Sequence, residues 1–253
     1  MTIVTLSNPL CSSMIGENKE TPLIRITLLL AGLLGLLPLA HAQVDEGQTG
    51  LWSMYFWNTQ FGEGPWGLQG DIQYRQFDVG SDLEQLLIRQ GLTYRPQSRP
   101  NILLTLGYGN ITSGEFGPSD RDSNEHRVYQ EALISQRFSD RWYVRHRFRL
   151  EQRWVSGQDF RSRLRYAIFA DVPLNGDNLK EGAIYASFYN EIFINGERDI
   201  GGGRKVSLFD RNRTYAALGY SLRDKLRLQF GYMHQETDNL GKGQLQLSLH
   251  HSF

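Results

Sequence analysis

The sequence predicts an all-β protein, an antiparallel transmembrane β-barrel of 10–12 strands. Three observations point to it. Apolar and polar residues alternate with period two, segment after segment, through residues 43–253, which is the pattern of strands with one apolar and one polar face. The segments run to about ten to fifteen residues. Soluble strands usually reach only ~5–6, whereas a tilted membrane strand needs ~9–11. The polar faces are also crowded with arginine, too many charges for a dry soluble core.

Composition narrows the class further. The 27 basic residues balance 27 acidic ones, which excludes a nucleic-acid binder of the basic-patch type. A mean hydropathy of −0.43 excludes a bundle of membrane helices, each needing ~20 consecutive apolar residues. The one long apolar run, Ile26 to Ala40, follows Lys19 and Arg25 and ends in Ala40-His41-Ala42. A basic segment, a short apolar stretch and a small-x-small end predict a cleaved signal peptide over residues 1–42. The barrel domain is then 43–253, in an exported chain. Cleavage removes Cys11, the sole cysteine, so disulfides and Cys-based metal sites are not expected.

The strands follow in order. Segment 51–60 carries Trp52 and Trp57. In 66–77, Trp66, Leu68, Ile72 and Tyr74 alternate with Gln69, Asp71, Gln73 and Arg75. Segment 83–95 has Arg89 on its polar phase, 101–110 follows the turn at Pro96, and 125–138 carries Glu131. In 141–155, Trp142, Val144, His146, Phe148, Leu150 and Trp154 alternate with Arg145, Arg147, Arg149, Glu151 and Arg153. In 159–173, Leu164, Tyr166 and Ile168 alternate with Arg163 and Arg165. Segment 181–195 is apolar on both faces apart from Glu191, and 208–222 carries Arg213. In 225–236, Leu226, Leu228, Phe230 and Tyr232 alternate with Arg227 and Gln229. In 242–253, Leu245, Leu247 and Leu249 alternate with Gln244, Gln246 and Ser248.

In a membrane barrel the apolar phase meets lipid and the polar phase lines the lumen. Trp142 and Trp154 share the apolar phase twelve residues apart. At ~3.3 Å per residue and a tilt of ~40° they are separated by roughly 30 Å along the axis, one hydrocarbon thickness with an interfacial aromatic at each end. Trp66 is the third interfacial tryptophan. Leu245, Leu247, Leu249 and the final Phe253 resemble the insertion signal of bacterial outer-membrane barrels, implying outer-membrane lipid and the barrel-insertion machinery as partners. Turns at 96–100, 139–141 and 223–225 are tight and expected on the periplasmic side, while 111–124 and 196–207 are long, polar and expected outside. Bacterial barrels have an even strand number. Eleven segments therefore predict either that 51–60 is not a wall strand, leaving ten, or that a twelfth exists.

Six further stretches resemble one family. They are Trp52 to Trp57 with Trp66-Gly67-Leu68-Gln69-Gly70-Asp71-Ile72-Gln73-Tyr74-Arg75, Arg149-Leu150-Glu151-Gln152-Arg153-Trp154, Arg163-Leu164-Arg165-Tyr166, Tyr189-Asn190-Glu191-Ile192-Phe193, Asp210-Arg211-Asn212-Arg213, and Leu218-Gly219-Tyr220. Together they resemble the domain of unknown function 2490 family of Gram-negative outer-membrane barrels. The resemblance covers nearly all of 43–253. It implies a fold and a location, and no catalytic residue.

The candidate site is the lumen. Phasing turns Arg75, Arg89, Arg145, Arg147, Arg149, Arg153, Arg163, Arg165, Arg213 and Arg227 inward, against Asp71, Glu131, Glu151 and Glu191. Side chains bonded into a network would fill a small barrel and close it, giving a structural or accessory barrel. An uncancelled arginine excess would instead favour a small anion or solute, in a narrow channel or a binding pocket. A lipid-modifying enzyme would need Glu151 and Glu191 as an acid/base pair with split protonation. His146 and Ser162 do not make a Ser–His pair, because a hairpin centred near Gly157 sets Ser162 opposite Gln152. No catalytic fingerprint occurs, and no cofactor or metal is implied.

Overall fold

The computed structural model describes residues 49–80, 82–116, 121–139 and 141–253. The expected signal peptide lies outside them. Eleven strands follow one another: β1 (Gly50–Gln60), β2 (Trp66–Gln76), β3 (Leu83–Tyr94), β4 (Ile102–Ser113), β5 (Ser123–Phe138), β6 (Trp142–Val155), β7 (Arg161–Pro173), β8 (Ile184–Asn195), β9 (Phe209–Arg223), β10 (Leu226–Glu236) and β11 (Gly241–Ser252). Each pairs with the next, and β1 closes the barrel on β11.

The closure corrects the even-number expectation. Segment 51–60 is a wall strand, and the barrel has eleven strands rather than ten or twelve. In an up-and-down barrel with an odd count the first and last strands run the same way, so their seam must be parallel. β1 and β11 pair in parallel from Gly50 opposite Gln244 to Asn58 opposite Ser252. The other ten pairings are antiparallel.

The strand ends that lead into the connections after β2, β4, β6, β8 and β10 gather at one rim, called upper here; those after β1, β3, β5, β7 and β9 gather with Phe253 at the lower rim. Two boundaries differ from the sequence reading by three residues, the others by one or two at most. β4 continues through Ile111, which is fully buried, and pairs with β3 as far as Ser113 opposite Gln85. Strand β8 starts at Ile184 because Gly182 has φ +81°, a left-handed conformation that breaks an extended run. The lower-rim connection 174–183 is therefore no tight turn. It is fixed by Ser221 Oγ donating to Leu179 O at 3.0 Å and by Gly182 N donating to Ser221 O at 2.9 Å.

Glycine makes room for two large inward rings. Gly107 faces Tyr129 across β4 and β5, and Gly219 faces Tyr185 across β8 and β9. A Cβ at either glycine would lie 2.1–2.6 Å from the tyrosine ring, so each ring lies flat against a backbone that only glycine leaves open.

The two phases differ sharply. Leu106, Leu164, Leu218 and Phe230 stand more than half exposed on the outer wall. Every Asp, Glu, Lys and Arg within a described strand has the inward phase, except Arg223 at the end of β9, Glu236 at the end of β10 and the bulge residues Glu84 and Asp210. The bulge carboxylates also reach inward, Glu84 to Trp52 Nε1 at 3.0 Å and Asp210 to Arg163 at 2.8 Å.

Candidate functional site

The inward phases of β5 to β9 meet in a chain of ion pairs. Glu151 is at its centre, fully buried on β6. Directly opposite on β7, Arg163 donates to Glu151 Oε2 through Nε at 3.0 Å and Nη2 at 2.7 Å. Arg165 donates to Glu151 Oε1 at 2.6 Å and turns its other side to Glu191 Oε1, at 2.9 Å from Nε and 2.7 Å from Nη2. Arg147 reaches Glu191 at 2.7 Å and lies 3.8 Å from Glu131. Arg149, opposite Glu131, donates to it at 2.7 Å. At the other end Arg163 Nη1 reaches Asp210, which also holds Arg211 at 3.1 Å. Planar guanidinium forks suit such sharing, because one group can serve two carboxylates.

Register alone would place like charges face to face: Arg127 against Arg153, Arg149 against Arg165, and Arg153 against Arg161. Such pairs repel. Glu125 holds Arg127 and Arg153 together, each through both carboxylate oxygens. Aromatic faces complete the packing. Phe193 lies 4.4 Å from Arg165, 4.9 Å from Arg213 and 5.1 Å from Arg163, distances at which a ring face attracts a cation.

The opposite wall is built differently. Trp52 of β1 is buried with Tyr215 and Met233. Arg75 stacks on its ring at 3.7 Å and Arg213 lies 4.9 Å from it. The acceptors here are amides: Gln73 and Gln85 for Arg75, and Gln235 for Arg213.

Residues 49–246 match the family described as protein of unknown function (DUF2490). The chain belongs to this family. No curated protein and no solved structure matches it.

The DUF2490 barrel turns the lumen residues read from the sequence inward, among them these ten: Arg75, Arg145, Arg147, Arg149, Glu151, Arg153, Arg163, Arg165, Glu191 and Arg213. Nine belong to the contacts above, counting Arg75 and Arg213 on the Trp52 side; Arg145 pairs apart from them, with Asp171 at 2.8 Å. Trp66 and Trp142 sit on the outer wall by the lower rim and Trp154 by the upper. Leu245, Leu247 and Leu249 share the outer phase of β11, and Phe253 N donates to Asn58 O at 3.0 Å. Ser162 stands opposite Gln152, as the hairpin argument required. Glu125, Arg127, Arg161 and Asp171 also face the lumen; extending the same period two from Glu131 and Arg165 reaches each of them. Asp210 and Glu84 had no readable phase, because bulges reset it. Among the described residues no cluster of three or more His, Cys, Asp or Glu could hold a metal ion.

Proposed function

We propose that the protein is an outer-membrane barrel with a structural or accessory role, its lumen closed by the ion-pair network. One observation carries the membrane reading: the charged side chains of the strands turn inward while the outer wall is apolar. Water on the outside would favour the reverse arrangement, and lipid favours this one. The few polar side chains on the wall support the reading because they satisfy one another. Gln130 and Gln152 exchange two amide bonds at 3.2 and 3.1 Å, His146 pairs with Tyr166 at 2.9 Å, and Asn190 with Asn212 at 2.9 Å. A wall without water needs such pairs. The exposed aromatics near the rims, Trp66, Trp142, Phe253, Trp154 and Phe160, suit two interfacial girdles. Outer-membrane lipid is then the wall's partner, and β11 ending at Phe253 suits recognition by the barrel-insertion machinery.

Closure rests on burial. Arg149, Glu151, Arg163 and Arg165 each keep 6% or less of their side chains accessible, which leaves no water-wide path through them. Glu151 and Glu191 share Arg165, an arrangement that supports ion pairing rather than acid/base work. The test is recording from the folded protein in a planar bilayer under a salt gradient. A closed lumen gives no steady conductance; steady conductance from protein with a folded mobility on unheated gels overturns the reading.

A further inference from the structure

Among the described residues nine arginines are buried: Arg75, Arg89, Arg127, Arg149, Arg153, Arg161, Arg163, Arg165 and Arg213. Against them stand six buried acids, Asp71, Glu125, Glu131, Glu151, Asp171 and Glu191. The excess is not spread evenly. Six of the nine have a carboxylate within 4 Å. Arg75, Arg161 and Arg213 have none among the described residues, and all three lie toward the upper ends of their strands. Arg75 is next to last in β2, Arg161 opens β7, and Arg213 lies near the start of β9.

Their hydrogen bonding is incomplete as well. Arg213 donates through Nε to Gln235 at 2.8 Å, and neither of its Nη groups has a protein acceptor among the described residues. Arg161 makes no side-chain hydrogen bond there, and its Nε is buried without a partner. Arg75 is held by neutral acceptors, Gln73 and Gln85. Amides orient a guanidinium without neutralising it. Water reaches this end of the lumen, since the Arg211 side chain beside Arg213 is 29% accessible.

We propose that the upper mouth of the lumen is a binding site for a small phosphate-class anion, held by the free Nη groups of Arg213, with Arg75 on Trp52 and Arg161 supplying further positive charge. A tetrahedral dianion supplies acceptors for several guanidinium donors at once and cancels the local excess. The aromatic face of Trp52 fixes the direction of Arg75 before the anion arrives, which lowers the ordering cost of binding. The site goes beyond the closed-lumen reading and does not depend on it: the ion pairs around Glu151 join the inward phases of β5 to β9, whereas Arg75 and Arg213 meet on the Trp52 ring.

The test is thermal unfolding of the full barrel in a neutral detergent, with inorganic phosphate titrated against chloride at matched ionic strength. A parallel arm adds a short-chain phosphatidic acid to the micelle. The expected result is a melting temperature that rises with inorganic phosphate, and at least a tenfold weaker response in Arg213→Gln. Without phosphate, Arg213→Gln is expected to melt no lower than the parent, because it removes an uncompensated charge, whereas Arg163→Gln melts lower. Should Arg213→Gln fail to fold, Arg161→Gln takes its place, since that side chain has no hydrogen bond to lose. A response to phosphatidic acid alone supports the phosphate chemistry and makes a lipid headgroup its source. Equal responses to chloride and phosphate, or an unchanged response in the variants, overturn the site. Bilayer conductance tests closure separately, so either idea can fail alone.

Discussion

Glu151 and Arg163 face each other across β6 and β7, buried and joined by two hydrogen bonds to one carboxylate oxygen. The pair cannot be read as a simple stabilising contact, because taking two charges out of water costs more than most pairs return. Its partners make it stable: Arg165 uses the second oxygen, and Asp210 the far side of Arg163. Glu151→Gln would leave at least two guanidinium groups buried and short of charge. Losing one member of a buried pair costs about 3–5 kcal/mol. The expected outcome is a barrel that unfolds at clearly lower urea in vesicles, with much of the loss restored by adding Arg163→Gln. A Glu151→Gln barrel as stable as the parent would mean that the network is slack.

The contact between Gly219 and Tyr185 predicts a steric effect of similar direction and different origin. The ring atoms lie where a Cβ would go, at 2.2–2.6 Å, and Tyr185 Oη is held by Gln229 at 3.1 Å. The ring cannot swing away without losing that bond. Gly219→Val is expected to destabilise the barrel by about 1–3 kcal/mol, the usual range for overpacking. Adding Tyr185→Ala should recover part of it. Urea midpoints of the two variants measure the difference.

Period two makes most of this architecture legible in the sequence. A strand with opposite chemistries on its faces declares its length and its phase, so Arg147 and Glu151 could be turned inward from sequence alone. The parallel seam was not legible. Alternation on β1 looks the same whether its neighbour is parallel or antiparallel, and only the odd count forces the answer. Asp210 and Glu84 were hidden for a second reason: one extra residue at a bulge inverts the phase. Phe193 was hidden for a third, since β8 is apolar on both faces and offers no contrast to phase. The three uncompensated arginines depend on which carboxylate each guanidinium reaches, a three-dimensional fact that alternation does not encode.

The upper rim carries a pH-sensitive tether. Glu197, in loop 196–208, accepts the backbone N–H of Ser162 and its hydroxyl, the latter at 2.8 Å. These two bonds hold the Glu197 carboxyl below its ordinary value of 4.5. A carboxyl with a lowered folded value contributes fully above its unfolded value and loses that contribution as pH falls through the folded one. The tether is therefore intact at neutral pH and released below about pH 4.5. Proteolysis or amide exchange across 196–208 should rise in acid. Glu197→Gln, which keeps one acceptor and loses the charge, should show part of that rise at pH 7. Loop protection that stays flat from pH 7 to pH 3 would dismiss the tether.

The outer wall offers the sharpest contrast between lipid and water. Leu218 stands 62% exposed near the middle of β9, and Leu222 shares its outer phase next to the lower rim. If water bathed the wall, arginine at either position would be a surface change, within about 0.5 kcal/mol of neutral and alike at both. In a bilayer the cost depends on depth, about 2–4 kcal/mol at the midplane and falling to about 0–1 near the interface. Leu218→Arg should therefore lower the unfolding midpoint in vesicles far more than Leu222→Arg. The same two variants should differ less in detergent micelles, where headgroups and water can crowd round a charged side chain. A gradient from Leu222 to Leu218 in vesicles requires a low-dielectric layer centred on the barrel, because nothing inside the lumen changes in either variant. Equal, small effects at both positions would place water at the wall, and the inward arginines would then need another explanation.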